Sequence, residues 1–391
     1  MQTDPLTPWL VLFGIYFLVY IIAKWIGFDK LRERGLEAGT PLFVMMRTER
    51  LNNFLTKWGK KVPRAFFNLG IVVGFAGMAA AFWLFGTNLL NFFFRPSAAG
   101  GVVPIIPGIT ITGLPLVYML IGLAITIILH EFAHGLASSK DDITIKSSGL
   151  LFFTVLFGAF VEPDEEEFEN KTSPRSRMRM LAAGSYMNLI GAFVTFLIIA
   201  NFNPIMSIAF NPPSGAFIYE IVPGTPAADS LQVGDVIIGL NDTTIETWLD
   251  VNYFMDTTES NSTLIIHTLD GSHTVTLGQS ELNASKGRIG IYGSDYWEPK
   301  PGWEWIPGGP MYAFHIQLTL AWTFVILFSV ALFNLMPIPA LDGDKLLSNG
   351  LGLIIKNEKT IKRIMWPARI ISLLIILLSI GFSLLLGRVL F

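Results

Sequence analysis

Residues 116–137 read LVYMLIGLAITIILHEFAHGLA, and this stretch decides the class of fold. Its first part, from Leu116 to Leu129, carries no charged residue. An α-helix needs roughly 20 predominantly apolar residues to cross the hydrocarbon core of a bilayer, so the stretch predicts a membrane-spanning helix. The end of that helix carries two histidines and a glutamate, in the order H-E-F-A-H at positions 130–134.

The rest of the chain has the same apolar character. Hydrophobic residues make up 52% of it and charged residues only 15%, against about 25% charged residues in ordinary soluble domains. The six expected spans are Pro8–Trp25, Phe66–Phe93, Leu116–Ala137, Met180–Asn201, Phe314–Met336 and Ile364–Leu386. We therefore expect an α-helical polytopic membrane protein with about six transmembrane helices. The chain has no cysteine, which excludes disulfides and thiolate metal sites.

Two segments interrupt the series of spans. Residues 212–278 alternate short β-branched runs with Gly and Asn-Asp turns, which predicts an inserted small α/β domain. The apolar patch Leu150–Val161 is too short to span and fits a hairpin or a re-entrant segment better. The expected organisation is a membrane region over residues 1–201, the small domain over 212–278 and a second membrane region over 312–391.

Positive charges predict the topology, because cytoplasmic loops of membrane proteins are rich in Lys and Arg. Such residues crowd the segments 30–64, 140–177 and 345–363, which lie on one side if there are six spans. The long segment that holds the small domain has only Lys286, Arg288 and Lys300. We therefore expect a multi-pass protein of the cell membrane, with both termini and the small domain outside and the H-E-F-A-H end facing the cytoplasm.

The H-E-F-A-H segment predicts a metal site. His130 and His134 are four residues apart, so they lie on one helical face and both imidazoles can reach one metal ion. Zinc is the natural occupant of such a pair, and Glu131 beside it can take a proton from an attacking water molecule. Ionisable groups inside a membrane are costly and usually functional, which disfavours a purely structural role.

A catalytic zinc needs a third protein ligand and an open position. His267 and His273 fall in the small domain, and His315 opens the fifth span on its outer side. A helix from His315 would carry the chain about 40 Å before Asp342, so these two residues lie near opposite membrane faces. We therefore expect Asp342 to be the third ligand. Pro337 and Pro339 break the helix just before it, which lets the backbone present its carboxylate.

The H-E-F-A-H segment together with N-L-M-P-I-P-A-L-D-G (residues 334–343) resembles the site-2 protease family of intramembrane metalloproteases. The resemblance implies that Asp342 is the third zinc ligand and that Asn334 helps to hold the substrate or the oxyanion. The chain departs from the family by having Ala133 where glycine is common and Ser185 where a proline is common. The family favours the motif A-G-P-x-x-N on the next span, where residues 183–188 read A-G-S-Y-M-N, so Gly184 and Asn188 are present. Close helix packing with an interhelical hydrogen bond and a role toward the substrate are both open for these two residues.

The small domain resembles a PDZ domain through residues 215–218, 224–228 and 234–237. By that resemblance, residues 215–218 stand where such domains bind peptide along a strand edge. Whether the groove binds a ligand or only filters substrates by size is open. The patch Leu150–Val161 could similarly hold an extended substrate beside the metal, as in the site-2 protease family.

The sequence therefore predicts a zinc metalloendopeptidase that hydrolyses peptide bonds of single-span membrane proteins in regulated intramembrane proteolysis. Its expected partners are those substrates and the lipid bilayer, with no nucleic acid. One alternative is a metal-ion transporter, because intramembrane His and Asp also mark ion pathways. Another is a non-catalytic scaffold that displays a PDZ module. Glu131 within the helical motif favours the protease over both.

Overall fold

A computed structural model describes residues 7–40, 43–107, 110–153, 156–280, 283–306 and 311–386. The chain divides into two compact units. We call them the helical unit, Met1–Leu197 with Thr319–Phe391, and the small unit, Ile198–Leu318.

The helices in chain order are α1 (Thr7–Ile26), α2 (Phe28–Glu33), α3 (Glu49–Gly59), α4 (Arg64–Phe94), α5 (Gly113–Lys140), α6 (Pro174–Ala200), α7 (Phe202–Met206), α8 (Trp248–Met255), α9 (Met311–Leu335), α10 (Asp342–Ile354) and α11 (Glu358–Leu385). The strands are β1 (Leu36–Thr40), β2 (Phe43–Arg47), β3 (Ile145–Phe153), β4 (Leu156–Pro163), β5 (Ala216–Ile221), β6 (Val236–Leu240), β7 (Thr243–Thr244), β8 (Thr263–Thr268), β9 (Gly271–Thr276), β10 (Gly278–Gln279), β11 (Gly287–Arg288) and β12 (Ile291–Asp295).

Five helices of the described residues are long and apolar enough to cross a membrane, namely α4, α5, α6, α9 and α11. They coincide with five of the six expected spans, so the chain is a polytopic membrane protein. The first expected span coincides with α1, but the side chains of residues 7–12 lie outside the described part. The apolar stretch that is described there, Phe13–Ile26, is shorter than a membrane crossing.

The short apolar patch forms a hairpin, as the sequence predicts. Strands β3 and β4 pair antiparallel, with Leu150 opposite Ala159. The hairpin does not stand alone, because β1 and β2 from the basic segment after α1 extend it to a four-stranded sheet in the order β1-β2-β3-β4. Strand β4 therefore forms one edge of this sheet, and it packs closely against α5.

The small unit contains an antiparallel sheet in the order β12-β5-β6-β8-β9, with the short β7 paired to β6. The expected short strands at residues 216–218, 236–238 and 263–266 fall in β5, β6 and β8. The assignment of residues 215–218 to a peptide-binding edge is wrong, because β5 lies between β12 and β6. The two edge strands of this sheet are β12 and β9. Strand β12 begins at Ile291, beyond the expected end of the small domain at Gly278.

Two ion pairs fasten the helices that surround the end of α5. Arg179 on α6 donates two hydrogen bonds to Asp141, which follows α5, at 2.6 and 2.7 Å. Arg369 on α11 makes the same forked contact, 2.7 Å for each bond, with Asp344 on α10. Planar, two-bond pairing of this kind fixes orientation as well as distance. The first pair therefore fixes the end of α5 to α6, and the second fixes α10 to α11.

Candidate active site

The end of α5 and the start of α10 bring two histidines and one aspartate together. The Nε2 atoms of His130 and His134 are 3.0 Å apart, and they lie 3.1 and 3.2 Å from Oδ2 of Asp342. Both histidines are buried, at 8% and 7% exposure. The edge of a tetrahedron around zinc with bonds of about 2.0 Å is about 3.3 Å long, so this triangle fits the ligand set of a zinc ion.

Each histidine has a polar partner at its other ring nitrogen, Nδ1. Nδ1 of His134 lies 2.8 Å from the carbonyl oxygen of Met180, to which it donates. Nδ2 of Asn188 lies 3.2 Å from Nδ1 of His130, and Oδ1 of this fully buried amide has no hydrogen-bond partner within the described structure. Turning the amide by 180° exchanges its nitrogen and its oxygen without changing its shape. With that oxygen turned to Nδ1, Asn188 accepts the ring N–H. A metal ion bound here would take the Nε2 lone pair of each histidine, with the ring proton on Nδ1.

Gly184 of α6 leaves room for the two imidazoles. A Cβ at this position would lie 2.6 Å from Nε2 of His130 and 2.6 Å from Nε2 of His134. Non-bonded carbon and nitrogen atoms do not approach so closely, so any side chain here would push the ligand atoms apart. Glycine therefore lets α6 approach the two histidines closely, and it leaves open the space beside both Nε2 atoms.

A tight turn between α9 and α10 places Asp342 beside the two histidines. Helix α9 ends at Leu335, and Asp342 is the first residue of α10. Ala340 adopts φ 76°, a left-handed conformation that non-glycine residues rarely adopt. At Gly343 the backbone passes so close to α9 that a Cβ would lie 2.2 Å from the carbonyl oxygen of Leu335. Strained backbone of this kind persists where the surrounding structure fixes it, commonly at functional sites.

The surroundings of Asp342 favour its charged form. Burial by itself would raise the pKa of this carboxyl, but Coulombic attraction and hydrogen bonds from His134 and His130 outweigh burial and lower the pKa below its usual value. A bound cation would act in the same direction. Asp342 is therefore ionised at neutral pH, which is the state in which a carboxylate binds metal.

Glu131 contacts the edge strand of the sheet. Its Oε2 accepts a hydrogen bond of 3.1 Å from the backbone N–H of Val161 on β4. Glu131 directly follows His130 in α5, so its side chain leaves the helix in a different direction from the two histidines. Glu131 thus lies between the histidines and the strand edge, where it can exchange a proton with a molecule held in that gap.

Asn334 completes the group of residues that the sequence singles out. Its Nδ2 lies 3.5 Å from Nε2 of His130. His130, Glu131, His134, Asn334 and Asp342 all line one cavity of about 760 Å³. Its wall also includes Phe160 and Val161 of β4 and the basic side chains of Arg47, Lys146 and Lys345. The cavity has room for a peptide segment beside the metal position.

The sequence missed the parts of the site that depend on tertiary contact. No local pattern points to the Met180 carbonyl or the Val161 N–H as partners of His134 and Glu131. Gly184 and Asn188 had a signal, the partial match to the family's motif, but not an assigned role. In the structure both lie against the histidines, one by leaving space and the other by a hydrogen bond.

These features define a polytopic membrane protein with a buried centre of two histidines and one aspartate, of the kind found in metallopeptidases. Residues 118–377 match the model of Peptidase family M50, and the chain belongs to this family. Its members are zinc metalloproteases and include the site-2 proteases.

A relative from Methanocaldococcus jannaschii, described as an uncharacterized protein, is 32% identical over 246 residues. That match covers 62% of this chain and 57% of the relative. The chain thus spans little more than half the length of the relative, and the shared part says nothing about the activity of the whole relative.

Proposed function

We propose that this protein is a zinc metalloendopeptidase that hydrolyses peptide bonds of single-span membrane proteins within or near the membrane. The observation that carries the proposal is the triangle of His130, His134 and Asp342 at the end of a membrane-spanning helix, with Glu131 beside it. Burying ionisable side chains in apolar surroundings costs free energy, and such side chains usually serve a function.

The chemical roles follow from the positions of the side chains. Zinc held by His130, His134 and Asp342 would polarise the scissile carbonyl and lower the pKa of water. Glu131 takes a proton from the attacking water and later delivers it to the leaving nitrogen. The side-chain amide of Asn334 donates a hydrogen bond to the carbonyl oxygen as that oxygen gains negative charge.

The substrate has to be extended to reach these groups, because a helix hides its peptide bonds. We propose that β4 holds the extended substrate, since β4 is an edge strand and its residues Phe160 and Val161 line the cavity. An extended segment added along this edge would pass between β4 and the metal ligands. The substrate would arrive after another protease has shortened it, as in regulated intramembrane proteolysis.

The small unit is proposed to be a PDZ-like domain. Its edge strand β12 and helix α8 border a pocket of about 190 Å³ that Val251, Met255 and Ile291 line. This domain either binds a peptide along β12 or acts only as a filter for the size of the substrate. We further propose that α1 is a sixth crossing, which places both termini and the small unit outside and the active site toward the cytoplasm.

Metal transport is the rival function, because ion pathways also place His and Asp inside membranes. It leaves Glu131 and the adjacent strand edge without a role. Zinc flux into sealed vesicles that contain the purified protein separates the two functions. A transporter moves zinc across the membrane, whereas a protease with this centre holds one ion per chain and moves none.

The direct test uses purified protein and a model single-span substrate in detergent. We expect cleavage that stops when a chelator removes zinc and returns when zinc is restored. Wild-type protein that binds zinc, moves none across vesicles and cleaves none of a panel of single-span substrates would contradict the proposal.

Asn188→Leu tests the support of His130 and is expected to lower zinc affinity about 10–100-fold, the usual cost of losing such a supporting hydrogen bond. Leucine has a similar size, so the core should stay filled. Zinc affinity is measured by competition with a chromophoric chelator. Ser185→Ala is the matched control, because Ser185 is fully buried on the same helix and its Oγ has no hydrogen-bond partner in the described structure. Equal affinity of both variants would contradict this role for Asn188.

A further inference from the structure

Helix α3 presents three different faces. One face packs against α5, where the fully buried Leu55 lies over Gly135. A second, polar face contains Asn53 and Thr56, which line a separate cavity. The third face is largely exposed and takes no part in the proposed active site.

The third face combines aromatic rings with cations. With 3.6 residues per turn, Phe54 and Trp58 share one side of the helix with Arg50 and Lys57. Phe54 and Trp58 are 47% and 48% exposed. Just after the helix, Lys61 places its Nζ 4.5 Å from the centroid of the Trp58 ring. We call Arg50, Phe54, Lys57, Trp58 and Lys61 the aromatic–basic face.

This face lies at the end of the membrane-spanning helices. Phe54 contacts Phe132 of α5, with ring centroids 6.5 Å apart. The chain then enters the spanning helix α4 at Arg64, which an extended backbone cannot place more than about 22 Å from Trp58. Since α5 ends and α4 begins here, α3 lies where the hydrocarbon core gives way to headgroups.

We propose that the aromatic–basic face docks on the headgroup layer of an anionic phospholipid bilayer. Aromatic side chains favour the boundary between hydrocarbon and water, and helices with one apolar and basic side lie in that plane. Arg50, Lys57 and Lys61 supply positive charge around the two rings, which matches lipid phosphates. Continuity with α4 favours the bilayer over a soluble partner. The docking is independent of the proposed protease activity.

Because the native chain has no cysteine, spin labels can be placed one at a time. Phe54→Cys and Trp58→Cys place a label on the aromatic–basic face, and Asn53→Cys and Thr56→Cys place it on the polar face. The full-length protein is reconstituted in vesicles of phosphatidylcholine with phosphatidylglycerol. Collision with dissolved oxygen and with a water-soluble nickel complex then reports the depth of each label.

Labels at positions 54 and 58 are expected to collide with oxygen and to be shielded from nickel. Labels at positions 53 and 56 are expected to show the reverse. Nickel access at 54 and 58 equal to that at 53 and 56 would overturn the proposal. Dipolar broadening between labels that persists as protein is diluted with lipid would also overturn it, because a second copy would then occupy the face.

The charge requirement is tested with the label at position 54. Lys57→Gln and Lys61→Gln should each reduce the ratio of membrane-docked to free label about fivefold in anionic vesicles. Neither should have this effect in pure phosphatidylcholine. Lys171→Gln is the matched control, because Lys171 is an exposed cation that follows β4 rather than α3. An equal effect of all three substitutions, or no effect of any, would overturn the role of these cations.

Discussion

Replacing Glu131 by glutamine is expected to abolish peptide hydrolysis while the protein keeps its zinc. Glutamine has the same shape, and its side-chain oxygen can still accept the hydrogen bond from the N–H of Val161. It cannot accept a proton from water, so the rate should fall about 10²–10⁴-fold, the usual contribution of a general base. The three proposed metal ligands are unchanged, so the zinc content should stay near one ion per chain.

Glu165→Gln is the matched control for this substitution. Glu165 lines the same cavity but is exposed and belongs to the short helical turn after β4. Its replacement should change the cleavage rate by a few-fold at most. Cleavage and zinc are measured on the same preparations of wild type and both variants. Cleavage by Glu131→Gln at the rate of the control would show that Glu131 is not the base.

Gly184→Ala is expected to remove the metal itself, although it adds only one methyl group outside the ligand set. The new Cβ would lie 2.6 Å from each histidine Nε2 atom, so the imidazoles must move away from the metal position. Losing a supporting contact of a metal ligand already costs about 10–100-fold in affinity, and a clash with two ligands should cost at least the upper value. Cleavage should disappear together with the zinc.

The control for this second substitution is Gly191→Ala on the same helix. There the nearest atoms to the added Cβ would be the ends of the Leu129 and Leu327 side chains, at 3.1 to 3.3 Å, and these can shift. This variant should bind zinc and cleave as wild type does. Thermal unfolding verifies that both variants are folded. Full zinc content in Gly184→Ala would contradict the fit of this site to a metal ion.

Five spanning helices could be predicted because membrane insertion depends on composition along one segment. The pair His130 and His134 could be found for a similar reason, since helical spacing alone places them together. The prediction of Asp342 as the third ligand needed two further arguments, its expected depth in the membrane and the two prolines before it. The structure places its carboxylate 3.1 Å from His130.

Features that depend on partners distant in sequence could not be predicted. Strands β1 and β2 carry ordinary polar and apolar residues. Only the pairing of β2 with β3, and of β1 with β2, makes them part of the sheet. The edge of the small unit was assigned to the wrong strand because β12 is short and far along the chain from its partner β5. Phe217 of β5 pairs with Ser294 of β12, which comes 77 residues later. Asn188 is polar in an apolar helix, and only tertiary contact shows that it faces His130.

The most direct test of the account is the mass of the products that wild-type protein makes from a single-span substrate in a bilayer, with the reaction run in ¹⁸O-labelled water. We predict two fragments cut within the apolar segment of the substrate, with the label in the new carboxyl terminus. Fragments cut only outside the membrane, or an intact substrate beside zinc-loaded enzyme that passes no zinc across vesicles, would contradict intramembrane hydrolysis by this centre.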